Sequence, residues 1–231
     1  RRSQFSINAI WKNKIAVLTG DYFLAKGLKI AVLKKDYDIL ELLSNVVEKI
    51  VEGELIQIEK AKKLNLTEKD YFDIIKLKTG SLFECSFELG GLSAQASKKE
   101  IGKLKELGLI IGIMFQIKDD IIDYNKYENS GKQSSNDIKE GKINLPLLYA
   151  LNKMNPIERK SIFQILRQKI NTQRELTYVS TLVLKYKGIE DAILIMHQHY
   201  NKALNIISNF KEGKYKKSIY SMLSFLIDRK K

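Results

Sequence analysis

Residues Phe115 to Asn125 read FQIKDDIIDYN and set three aspartates into an otherwise apolar run. Asp119 and Asp123 are four apart, so on a helix they share one face, with Asp120 beside them. Like charges at that spacing repel, and aspartate is a mediocre helix former. A solvated helix face is one reading of such a trio. The flanks favour another. Phe115, Ile117, Ile121, Ile122 and Tyr124 wrap the acids in apolar side chains, and charge in such surroundings needs a partner. A hard divalent cation is a natural one: Mg²⁺, with Mn²⁺ as a possible substitute, takes oxygen ligands, keeps several waters and bridges carboxylates to phosphates.

The elements that must position these acids are helical. Apolar residues recur at helical spacing nearly throughout, and only two prolines and 13 glycines interrupt 231 residues. With 44% hydrophobic and 29% charged residues, the chain suits one helical domain, residues 1–231, with a sizeable core. The spacing predicts helices from Asn8 to Leu33, Asp36 to Lys63, Thr67 to Ala96 and Lys98 to Tyr127. Thr67 with Asp70, and Thr172 with Glu175, read as capping boxes. Asn155-Pro156 reads as an N-cap followed by a first helical proline. Leu145-Pro146-Leu147 begins a short helix, and two more span Ile189 to Phe210 and Lys216 to Arg229. The polar, glycine-bearing stretch Glu128 to Lys142 is the one long loop expected, and such loops tend to be functional. Its composition suggests a lid that orders on substrate.

Net charge is +13, but only six of the 40 basic residues are arginine. The lysines are scattered and lack the interleaved aromatics of single-strand binders, so nucleic acid is not the expected partner. Anionic substrates or an anionic membrane surface are. A single cysteine, Cys85, excludes an intrachain disulfide framework and fits a reducing, cytoplasmic setting; core packing is its expected role. No uncharged apolar run is long enough for a membrane helix, which leaves at most peripheral membrane contact, and RRSQFSIN is not a signal peptide.

FQIKDDIIDY, followed by Gly131-Lys132, Asp137, Glu140-Gly141-Lys142 and Leu145-Pro146-Leu147, resembles the second aspartate-rich region of trans-polyprenyl diphosphate synthases. Arg1 to Gly27 resembles the segment directly after that family's first aspartate-rich motif. VEGELIQIEKA (Val51 to Ala61) and Lys78-Thr79 fall in order between them. The medium- and long-chain branch, which makes quinone side chains, is the nearest resemblance. It implies an isoprenoid-synthase-type antiparallel helical bundle around a central cavity, of which this chain would be the C-terminal two-thirds. The family's first D-D-x-x-D would precede Arg1, so the chain is expected to be part of a longer protein or a subunit lacking half the metal site. Ser3 and Phe5 depart from the family's usual glycine and proline.

The resemblance also implies chemistry. An allylic diphosphate ionises, and the double bond of isopentenyl diphosphate attacks the allylic cation. By resemblance Asp119 is a direct metal ligand, with Asp123 supporting and Asp120 in the same motif. Gln116 is the substrate-facing glutamine. Lys78 with Thr79, Lys132 and Lys142 reach the allylic diphosphate, and Gln57 lies near it. Arg1 faces the allylic diphosphate and Arg2 the isopentenyl diphosphate. Phe23, Leu24, Gly27 and Leu28 are candidates for an apolar tunnel, and a homodimer is expected. A non-catalytic partner of such a synthase and a terpene cyclase of the same fold are the competing readings; the lysine-bearing loop and the arginine pair favour the prenyltransferase.

Overall fold

Helices follow the apolar spacing closely, and no strand occurs among the described residues. The computed structural model describes residues 5–130, 141–168 and 172–229. Arg1, Arg2, Lys132 and most of the expected lid lie outside them. The chain divides into two compact units, Arg1–Val47 and Glu48–Lys231.

The first unit holds α1 (Ile7–Lys34) and the opening of α2 (Tyr37–Lys63). A non-helical residue, Lys12, interrupts α1, and Lys35 ends it in the left-handed region at φ 58°. Much of its apolar surface is exposed, including Trp11, Leu18 and Phe23. Of the tunnel candidates, Phe23 and Leu24 are exposed and Leu28 is half-buried.

The second unit continues α2 and adds α3 (Glu68–Ile75), a π-helical turn (Lys76–Gly80), α4 (Ser81–Ser93) and α5 (Lys98–Ser130). After the undescribed stretch come α6 (Leu145–Lys153), α7 (Pro156–Gln168), α8 (Gln173–Lys185), α9 (Gly188–Ser208) and α10 (Lys214–Asp228). The capping spacings behave as their chemistry requires. Thr67 and Thr172 each accept from the N3 amide while Asp70 and Glu175 reach back. Asn155 accepts from Glu158 N at 2.9 Å. Two details differ from the sequence expectation. The third helix carries the π turn, and α5 is helical to Ser130, past the expected end at Tyr127.

Helix α5 is the axis of this unit. Leu107, Met114 and Ile117 along it are fully buried, and α4, α9, α6 and α10 pack against it. One cluster groups Ile117, Leu147, Val183 and Met196; the other groups Leu107, Met114, Ala203 and Leu223. Cys85 is buried in this packing, and burial pushes its thiol pKa up. Close approach at one glycine fixes the π turn against α5: a Cβ on Gly112 would stand 2.7 Å from Gly80 Cα. No side chain fits there. Among the described residues no helix is long and apolar enough to cross a membrane.

Candidate active site

The motif GELIQ puts Glu54 and Gln57 three residues apart, hence on one face of α2. That face approaches the π turn very closely, since a Cβ on Gly53 would meet Lys78 N at 3.0 Å. Lys78 Nζ consequently pairs with Glu54 at 2.5 Å and donates to Gln57 Oε1 at 2.8 Å. Successive residues of a helical turn point about 100° apart, so neighbouring side chains serve different partners. Lys78 reaches α2, while Thr79 donates to Gln116 Oε1 on α5 at 3.0 Å.

From Gln116 the network runs along α5. Gln116 Nε2 donates to Asp120 Oδ1 at 3.0 Å, and Asp120 Oδ2 accepts from Tyr71 OH at 2.7 Å and from Leu145 N at 3.0 Å. Asp120 is 3% exposed, and three protein donors occupy its carboxylate. Its burial was legible from the flanking isoleucines. Its three protein donors were not. Leu145 N is available because Asn144 caps α6, accepting from Leu147 N at 3.3 Å and from Tyr124 OH at 2.8 Å.

These groups border one cavity, lined among others by Gln57, Lys78, Thr79, Gln116, Asp120 and Lys142. The sequence candidates Gln57, Lys78, Thr79, Gln116 and Lys142 therefore come together. Lys60 joins them at the rim, held by Asp70 at 2.9 Å. Hydrogen bonds from Thr67, then that of Lys60, hold the Asp70 carboxyl down to about 2. Sequence reasoning missed Glu54, Lys60, Tyr71 and Asn144. Glu54 sat in a motif already in hand, one turn before Gln57. Asn144 could have been found as the polar residue before Leu145-Pro146. For Tyr71, 49 residues from Asp120, the sequence carries no signal.

Asp119 and Asp123 are half-buried, less enclosed than Asp120. Asp119 forms an ion pair with Arg229 at the end of α10. Among the described residues no three His, Cys, Asp or Glu side chains gather as a metal cage. Two hard carboxylates one helical turn apart, both reached by solvent, nonetheless fit Mg²⁺, which commonly takes one or two carboxylates and completes its shell with water and phosphate.

An all-helical unit with lysines converging beside an acid-bearing central helix suits a protein that handles diphosphates. The chain belongs to the polyprenyl synthetase family, whose model matches residues 1–183. It is 29% identical over its whole length to heptaprenyl diphosphate synthase component 2 of Bacillus subtilis and covers 65% of that protein. To the octaprenyl diphosphate synthase of Escherichia coli it is 32% identical, over 73% of this chain and 52% of the relative. In solved structures, all of the chain superposes on 71% of a decaprenyl diphosphate synthase from Rhodobacter capsulatus, with TM-score 0.92 and 27% identity. The heptaprenyl diphosphate synthase of Staphylococcus aureus gives 0.89 and 31%, over all of this chain and 72% of that one. The chain thus spans between about half and three-quarters of the length of these relatives, and its resemblance to the medium- and long-chain branch stands.

Proposed function

We propose that the full-length protein is a Mg²⁺-dependent prenyltransferase that condenses isopentenyl diphosphate with an allylic diphosphate. The product is a longer trans-polyprenyl diphosphate, a quinone side-chain precursor. One observation carries the reading: Lys78, steadied by Glu54 and Gln57, shares a cavity with Thr79, Gln116 and Lys142 beside the Asp119 helix. Lysine is a point charge suited to phosphate oxygens. Gln116 and Thr79 offer an amide and a hydroxyl to the same ligand. Asp119 and Asp123 would hold the cation, and Asp120 keeps their helix in register. When bound, Mg²⁺ would neutralise the diphosphate as it departs. Arg1, Arg2 and Lys132 remain assigned to the diphosphates, though they lie outside the described residues. Radiolabelled isopentenyl diphosphate with farnesyl or geranyl diphosphate should give butanol-extractable product in Mg²⁺ and none in EDTA. Label that stays in the aqueous phase under both conditions removes the proposal.

A homodimer completes the reading. Val51, Leu55 and Ile58 form an exposed apolar stripe at helical spacing on α2, and isologous pairing is the commonest cover for such a surface. The Bacillus relative is named as one component of its synthase, so pairing with a different subunit is the alternative. Light scattering at micromolar concentration should give twice the protomer mass; the protomer mass itself would end the dimer proposal.

A further inference from the structure

The end of α10 is fastened to α5 beside the acids. Lys118, 8% exposed, donates to Ile227 O, and the Arg229 amide donates to Phe225 O at 2.9 Å. The Arg229 guanidinium lies 4.7 Å from the Phe115 ring centroid and pairs with Asp119 Oδ1. This placement costs something. Among the described residues Arg229 Nε is buried with no hydrogen-bond acceptor, and an orphaned donor is unfavourable. A compensating attraction must hold the arginine in place, and Asp119 is the carboxylate that supplies it.

We infer that Arg229 is a resident counter-ion of Asp119 that a divalent cation must displace, so that metal binding and docking of the α10 end oppose one another. This rests on Asp119 being a metal ligand, as proposed above. A carboxylate can offer one oxygen to each cation, but a guanidinium and a doubly charged ion on the same carboxylate repel strongly at that range. Without metal, Arg229 relieves the repulsion between Asp119 and Asp123 across one helical turn. With metal bound that relief is redundant, and the arginine leaves a site where its Nε had no partner. Coupling of this kind is reciprocal: the factor by which Arg229 weakens metal binding is the factor by which metal loosens Arg229. Arg229 is thus a positioning residue that sets the metal concentration at which the site fills.

The test is Mn²⁺ binding to the full-length protein, read from the free-ion electron paramagnetic resonance signal. Wild type, Arg229→Gln, Arg229→Lys and Asp119→Asn are compared for the class of Mn²⁺ that Asp119 holds. Arg229→Gln should bind that class about tenfold tighter, a difference of about 1.4 kcal/mol, and Arg229→Lys should stay near wild type. A merely structural arginine would leave affinity unchanged or weaken it on removal, and either result overturns the inference. If Asp119→Asn binds as wild type does, the site reading fails and the inference falls with it. If Asp119→Asn loses the ion while Arg229→Gln matches wild type, only the counter-ion role is lost. Should Arg229→Gln fail to fold, hydrogen exchange in the wild type decides. Exchange of the Arg229 amide should quicken on saturation with Mg²⁺, and unchanged or slower exchange overturns displacement.

Discussion

Lys78→Ala in the full-length protein is expected to cut turnover more than a hundredfold, and Asp119→Ala to do the same, with both variants still folded. Charge fixed in advance where a diphosphate departs strengthens its hold as the leaving group gains charge, which lowers the barrier. Losing about 3 kcal/mol of that stabilisation is more than a hundredfold in rate. Lys78→Ala should barely move fold stability: the Lys78 and Glu54 side chains are 34% and 42% exposed, so water replaces what is lost and such a pair contributes up to about 1 kcal/mol. Asp119→Ala should cost somewhat more, because it leaves the Arg229 guanidinium, 14% exposed, without that carboxylate. Lys211, exposed beyond α9, provides the control, and Lys211→Ala should retain wild-type turnover. Steady-state rates with radiolabelled isopentenyl diphosphate, alongside thermal melts, separate lost chemistry from lost structure. Comparable turnover in all three variants would show that the cavity does not bind the diphosphate.

Asp120→Ala should act in the opposite way, through the fold. Its removal orphans three donors, Tyr71 OH, Gln116 Nε2 and Leu145 N, in a site 3% exposed. Each buried unsatisfied donor costs about 1–3 kcal/mol, and the costs are not additive; about 4 kcal/mol in total is reasonable. For a chain of this size that lowers Tm by about 8–16 °C. Tyr71→Phe removes one donor and should cost about 1 kcal/mol. Asp120→Asn should fall between. Its carbonyl can serve the Oδ2 position, where Tyr71 and Leu145 converge, and its amide can donate to a flipped Gln116, with Thr79 accepting at the far end. A chain of neutral groups can reorient in this way, whereas alanine offers nothing. Calorimetry decides: an Asp120→Ala melting temperature equal to that of Asp119→Ala would mean that the buried carboxylate does not join α3, α5 and α6.

How much of this was readable beforehand depended on range. Local rules act within one or two turns, and they placed the helices. Thr67 with Asp70 and Thr172 with Glu175 capped what they were expected to cap, and Asn155-Pro156 opened α7. The isoleucines around the acids correctly marked α5 as a core helix. The family, too, was legible, because its motifs are short, ordered blocks along the chain.

Tertiary packing alone decided what each acid does. Asp119 and Asp120 are adjacent in sequence and look equivalent there. A residue step of about 100° around the helix turns Asp120 towards Tyr71 and Leu145 and leaves Asp119 half-buried against Arg229, 110 residues away. The π turn was equally invisible: it lies where Gly53 of α2 and Gly112 of α5 let both helices approach the Lys76–Gly80 backbone closely. Sequence supplied the residue types and their order. Their roles came from the directions in which packed helices turn side chains, and direction is fixed only once distant helices bury their apolar faces together.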